Sequence, residues 1–301
     1  MSRKISRLFI VGETATGKSS LAMRIAQRYN GEIICADSVT VYKGFNIGSA
    51  KPTGAEAQKI PHHMLDIVEA NQNYSVALFK EQATTEVSRI VAAGKLPIIV
   101  GGSGLYVDSL LHEYDFSEVG EAENRQYLQG LTLVELQDKV RRVILDDESL
   151  DQLDWNNPRR LIRAIEKRGV SQTVKRRQSA SDLVIGLRHA SAAARRQAIE
   201  QRVERMFKIG LRKELDKLRK LYDWDSEPMK SIGYREFKNY FAEKHSMSKV
   251  KREIVRSTLK LAKHQRTWFK RNQTTTWFTS PDQAFKAVDA LMNTNESQND
   301  L

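Results

Sequence analysis

The eight residues Gly12-Glu13-Thr14-Ala15-Thr16-Gly17-Lys18-Ser19 follow the spacing G-x-x-x-x-G-K-[ST] and constrain the fold more than anything else in the chain. Such a loop works only between a buried strand and the first turn of a helix. Leu8-Phe9-Ile10-Val11 is a short apolar run of strand type, and Leu21, Ala22, Ile25 and Ala26 recur at helical spacing after the loop. Gly12 and Gly17 let the backbone curl with its N–H groups pointing inward, where the helix directs its positive end. Lys18 adds a point charge, and the Ser19 hydroxyl is placed to hold Mg²⁺. The stretch reads as a phosphate-binding loop.

The flanking pattern supplies a sheet. Glu32–Ala36 predicts a second strand that delivers Asp37-Ser38 to its C-terminal end, the edge at which open α/β sheets bind ligands. Residues 40–75 are rich in loop formers. They carry the pair His62-His63, which reads as structural or part of a substrate loop, since no acid or third histidine stands at ligand spacing. A helical pattern runs from Ser75 to about Ala93, and Pro97–Val100 predicts a third buried strand that stops at Gly101-Gly102-Ser103-Gly104. Strands alternating with helices predict an α/β fold with a parallel sheet.

From about Tyr114 the composition changes. Residues 114–180 contain no convincing strand and read as short charged helices. Pro158 opens one of them, with Leu161, Ile162 and Ile165 on one face and Arg159, Arg160 and Arg163 elsewhere. Leu183–Leu187 predicts a return to the sheet. One helix is expected over about 192–221, with Ile199, Val203, Met206, Leu215 and Leu218 as its core stripe. A second is expected over 248–271, with Val250, Ile254, Leu261 and Trp268 on its apolar face. That helix carries nine Lys and Arg against Glu253 alone, and Trp277-Phe278 predicts a final strand.

The 301 residues include 49 Lys and Arg against 37 Asp and Glu, a formal +12. Residues 1–113 carry +2 of this and the remainder +10, so the excess points to a polyanion larger than a nucleotide. The single cysteine, Cys35, excludes an intramolecular disulfide and a cysteine-based zinc site, reads as buried strand filler, and fits a reducing cytoplasm. No window approaches 18 consecutive apolar residues, so no membrane span is expected.

A phosphate loop alone fits nucleotide hydrolysis or a small-molecule kinase. Those chemistries need a second carboxylate for Mg²⁺ at the end of a buried strand. Here the best strand ends in glycines and the acid is Asp37 on another strand. One carboxylate beside one phosphate cradle fits a different reaction, in which the phosphates leave and the carboxylate takes a proton from the attacking group.

At this point the chain resembles the tRNA dimethylallyltransferases (tRNA isopentenyltransferases) of bacterial type. Their loop reads approximately G-P-T-A-[SV]-G-K-[ST], echoed by GETATGKS over Gly12–Ser19. Their block D-S-M-Q-V-Y-R-G-M-D-I-G-T-A-K-P is echoed by DSVTVYKGFNIGSAKP over Asp37–Pro52. HHMLD at His62–Asp66, YSVALF at Tyr74–Phe79 and GGSGLY at Gly101–Tyr106 follow in order. PRRLIRAIE at Pro158–Glu166, Ile232-Gly233-Tyr234 and AKHQRTWF at Ala262–Phe269 continue the series. Glu13 stands where the family has proline, Thr40 where it has glutamine, and no zinc finger follows the core.

The resemblance implies transfer of a dimethylallyl group from dimethylallyl diphosphate to N6 of the adenosine just 3′ of the tRNA anticodon. It implies a P-loop NTPase-like core with helices on both faces (1–113), a helical tRNA-binding insertion (114–180), and a return to the core with basic C-terminal helices (181–301). It implies Mg²⁺ as cofactor. By the same resemblance Asp37 is the general base and Ser103 bonds near the reacting amine. Gly12, Glu13, Thr14, Ala15, Thr16, Gly17, Lys18 and Ser19 hold the diphosphate, Ser19 with the metal. Asp37, Ser38, Val39, Thr40, Ser103, Arg125, Arg159, Arg160, Leu161, Ile162 and Arg163 meet tRNA. A cytoplasmic monomer that binds the anticodon stem-loop is expected. The rival readings are a small-molecule P-loop kinase or free adenine-nucleotide prenyltransferase, neither of which needs the basic C-terminal half, and a non-catalytic RNA-binding protein.

Overall fold

A computed structural model describes residues 5–112, 127–144, 150–151, 153–166 and 178–296. In chain order the elements are β1 (Arg7–Gly12), α1 (Lys18–Arg28), β2 (Gly31–Ala36), α2 (Gly54–Lys59), β3 (His62–His63), α3 (Val76–Ala92), β4 (Leu96–Gly101) and α4 (Gly104–Leu111). Then come α5 (Leu133–Val143), α6 (Pro158–Glu166), β5 (Asp182–Leu187), α7 (Ala192–Lys208), α8 (Leu211–Leu221), α9 (Lys238–Phe241), α10 (Met247–Phe269), β6 (Thr276–Phe278) and α11 (Pro281–Glu296).

The six strands form one sheet in the order β3-β2-β4-β1-β5-β6, with every pairing parallel. The chain leaves β1 toward β2 and β3, returns through β4, and only later adds β5 and β6 on the far side. That reversal makes the C-terminal end of β1 the switch point where a ligand crevice opens. The apolar runs are continuous because both faces are covered. Leu8 and Ile10 pack with Leu21, Ile25, Ala284 and Val288 from α1 and α11, whereas Phe9 and Val11 pack with Phe79, Ile90, Val107 and Phe269 from α3, α4 and α10. A third cluster joins Val41, Tyr42 and Phe45 to α7, α8 and α10 through Ile199, Val203, Leu211, Leu215, Val250 and Ile254.

Two expectations change. The helix expected over 192–221 is two helices, because Gly210 at φ 108° turns the backbone left-handed between Lys208 and Leu211. The buried face of α10 is Val250, Ile254, Thr258, Ala262, Gln265 and Phe269, rotated from the expected stripe, with Leu261 and Trp268 only half-buried. The seven-residue repeat missed this because two members of the face are polar; Thr258 bonds the Ile254 carbonyl at 2.7 Å, and the Gln265 amide bonds Thr14 and Gly102.

The chain divides into two compact units, Met1–Leu111 with Gln178–Leu301, and His112–Arg177. The smaller has its own core of Leu128, Leu136, Val140, Ile144, Leu161, Ile162 and Ile165. Among the described residues no helix is long and apolar enough to cross a membrane.

Candidate active site

Four loops meet at the C-terminal edge of the sheet, and two glycines let them. Gly12 pairs with Leu187 and Gly101 with Ala36. A Cβ on either glycine would stand 2.0 Å from the carbonyl oxygen of its partner. The phosphate loop continues with Ala15 at φ 61° and Gly17 at φ 90°, and Gly17 caps α1 without a side chain. The first N–H groups of α1 therefore remain for an anion.

The loop is tied down before any ligand arrives. Glu13 N–H donates to the Leu187 carbonyl at 3.1 Å and Thr14 N–H to Gln265 Oε1 at 2.8 Å. The Lys18 ammonium donates to the carbonyls of Gly12 and Glu13 at 3.1 and 2.6 Å, and Thr16 Oγ1 to Glu13 at 2.7 Å. His189 Nε2 bonds the Thr14 carbonyl at 3.0 Å. The Glu13 carboxylate is fully buried and paired with Arg195, so neither its side chain nor its N–H faces a phosphate. The free part of the cradle is its second half, from Ala15 onward.

Burial, and next the Arg202 guanidinium, push the Lys18 ammonium down to about 7, while Asp37 and Glu13 pull it up. Arg202 on α7 is itself lowered by burial and drawn up by Asp37. Lys18, Arg202 and Asp37 thus share one electrostatic site. Arg202 escaped the sequence reading because α7 carries several other cations and nothing in the pattern singles it out.

Asp37 follows the last residue of β2. Its Oδ1 accepts the N–H of Val39 at 2.8 Å and of Thr40 at 3.4 Å; Oδ2 has no protein partner among the described residues. Ser103 begins the turn after β4, where its Oγ accepts the Ser38 N–H at 3.0 Å. The Asp37 and Ser103 loops are thereby in direct contact. Ser38 is exposed, Val39 half-buried, and Thr40 buried with its hydroxyl turned back onto the Asp37 carbonyl at 3.3 Å.

Ser19 is exposed on the first turn of α1. Among the described residues no three His, Cys, Asp or Glu side chains group to hold a metal. His63 instead bonds Glu32 at 2.7 Å, and His62 the Ile60 carbonyl at 2.7 Å. Three partners, Lys95, Arg89 and His63, outweigh burial and hold Glu32 down at about 2. Burial pushes the Cys35 thiol up to about 12, leaving it protonated and inert at neutral pH.

In the smaller unit, Arg159 and Arg160 are exposed, and Arg163 pairs with Glu166 at 3.2 Å. Leu161 and Ile162 turn into that unit's core, so their side chains serve packing while Arg159 and Arg160 face solvent. Arg125 lies outside the described residues.

The family profile for IPP transferase matches residues 40–272. The tRNA dimethylallyltransferase of an Exiguobacterium species is 39% identical over 89% of this chain and 88% of its own length. The solved tRNA delta(2)-isopentenylpyrophosphate transferase of Staphylococcus epidermidis is 31% identical at a TM-score of 0.71, covering 96% of this chain and 98% of its own. The full-length tRNA isopentenylpyrophosphate transferase of Bacillus halodurans is 29% identical at a TM-score of 0.73, covering 99% and 100%. With the phosphate loop, Asp37 and Ser103 at one sheet edge and relatives that align nearly end to end, the chain belongs to the IPP transferase family.

Proposed function

We propose that the protein transfers a dimethylallyl group from dimethylallyl diphosphate to N6 of the adenosine 3′-adjacent to the anticodon in tRNA. The observation that carries this reading is the convergence of a phosphate cradle, two cations and one carboxylate at a single sheet edge. N6 attacks C1 of the donor as the C1–O bond breaks and pyrophosphate departs. The lone pair of N6 is delocalised into the ring, so a base that accepts its proton during attack lowers the barrier. Asp37 is that base, its Oδ1 anchored by Val39 and its Oδ2 left to take the amine proton. The Ser103 hydroxyl bonds beside the amine. The N–H groups from Ala15 to Ser19, with Lys18 and Arg202, stabilise the charge that develops on the leaving group.

The donor set fits Mg²⁺. The Ser19 hydroxyl is exposed and no all-protein cage stands nearby among the described residues. An ion here would share its shell with diphosphate oxygens and water, as Mg²⁺ usually does. Bound there, it would neutralise charge on the departing oxygens.

An adenosine stacked in the anticodon loop must be extruded before N6 reaches Asp37. Ser38 and Val39 line that entry in this reading, and Thr40, buried, braces the Asp37 turn. Residues 114–180 are the tRNA-binding insertion, contributing Arg125, Arg159, Arg160 and Arg163. Arg256, Lys260 and Lys263 are exposed on α10, opposite its buried face, and would meet backbone phosphates. We place this activity in a cytoplasmic monomer.

The test combines purified protein, Mg²⁺, dimethylallyl diphosphate and unmodified tRNA, with AMP and ATP as parallel acceptors. A dimethylallyl mass gain on tRNA adenosine alone supports the reading. Modification of AMP or ATP instead, or of no acceptor while tRNA still binds, overturns it.

A further inference from the structure

Gln265 lies on α10, more than 160 residues beyond the loops it touches. Its side chain is buried, 8% exposed, and both ends of the amide are used. Oε1 accepts the Thr14 N–H at 2.8 Å, and Nε2 donates to the Gly102 carbonyl at 3.1 Å. The amide orientation is fixed by its partners, since an N–H must meet oxygen and a carbonyl must meet nitrogen. Gly102 is shaped to receive it: a Cβ there would fall 2.2 Å from Nε2. From Gly102 the chain passes to Ser103, whose Oγ accepts the N–H of Ser38, the neighbour of Asp37. One side chain therefore links the phosphate loop to the loop beside the proposed base.

We propose that Gln265 is a positioning residue that fixes the spacing between the leaving-group cradle and the Ser103–Asp37 side of the site. The proposal rests on the reaction proposed above. In-line displacement needs the attacking amine and the departing oxygen on opposite sides of C1, so the two loops must keep one separation. Two bonds from one rigid amide set it. Neither loop contacts substrate through Gln265 itself.

Three variants test this. Gln265→Met keeps length and removes both bonds. Gln265→Glu keeps both when protonated, the hydroxyl donating to Gly102 and the carbonyl accepting from Thr14; when ionised it sets a carboxylate against the Gly102 carbonyl. Gly102→Ala displaces the amide from the other side. We expect Gln265→Met and Gly102→Ala to lower kcat on tRNA about 10-fold or more, with the KM for tRNA within about twofold. For Gln265→Glu, kcat relative to wild type should recover as pH falls from 8.5 to 5.5, while the Gln265→Met ratio stays flat. Pyrophosphate binding, followed by calorimetry, should weaken for Gln265→Met and follow the same pH rescue for Gln265→Glu. A Gln265→Met enzyme that turns over within twofold of wild type overturns the proposal. So do equally flat pH ratios for both variants. If wild type modifies no tRNA, the reaction fails, but the pyrophosphate titrations still decide the role of Gln265.

Discussion

Glu13 and Arg195 form a forked ion pair inside the phosphate loop, Nε to Oε2 at 2.6 Å and a second guanidinium nitrogen to Oε1 at 3.3 Å. The carboxylate is fully buried, and the arginine side chain is 14% exposed. The pair pins α7 to the loop, and Arg202 stands seven residues, two turns, farther along the same face. A buried glutamate in the phosphate loop is thus tolerated because a cation on a distant helix meets it.

Removing one partner of a buried pair costs about 3–5 kcal/mol, and the cost is greatest when the deeper charge is orphaned. Arg195→Met should therefore lower the urea midpoint more than Glu13→Gln, and the double variant should recover part of the loss. Equal, additive losses in equilibrium unfolding would mean that the pair is not coupled.

Asp37→Ala should lower single-turnover transfer by about 10²–10⁴-fold, the range for losing a general base. Binding of tRNA in a filter or fluorescence assay should survive, because the carboxylate contributes no attraction to phosphate. Near-normal turnover by this variant would remove Asp37 from the base role.

Local signals made the core readable. The strand, glycine loop and helix from Arg7 to Arg28 lie within one stretch, and the continuous burial of Leu8, Phe9, Ile10 and Val11 needs only a run of apolar residues. The groups that complete the site were not readable, because Arg195, Arg202 and Gln265 arrive from helices whose other polar residues look the same in sequence. Gln265 is a buried glutamine within a cationic run, and only the approach of Thr14 and Gly102 distinguishes it. The two-residue strand β3 was also missed. Its pairing of His62 and His63 with Ile33 and Ile34 leaves no periodic pattern.

Arg256, Lys260 and Lys263 are exposed and free of ion pairs among the described residues. If they meet RNA phosphates, each replacement by alanine should flatten the slope of log K against log salt by about 0.7–1. Affinities for different tRNAs should fall together, since phosphate contacts carry no sequence information. Unchanged slopes in the triple variant would take α10 off the RNA surface.

Lys18 gives a pH dependence whose sign follows from its surroundings. Its folded value, about 7, lies below its ordinary 10.5, because burial and Arg202 oppose its charge. Below about pH 7 both folded and unfolded chains hold the proton, and the folded state bears the whole penalty. Between about 7 and 10.5 the unfolded chain binds more protons, so stability from this group rises with pH. Wild type should therefore gain stability relative to Lys18→Met as pH rises from 7 to 10, measured by urea unfolding. Saturating pyrophosphate should flatten that gain, since an anion in the cradle favours the charged ammonium at every pH in the range. Parallel curves for the two proteins without ligand would mean that Lys18 titrates normally and that the loop presents a permanent cation to the departing diphosphate.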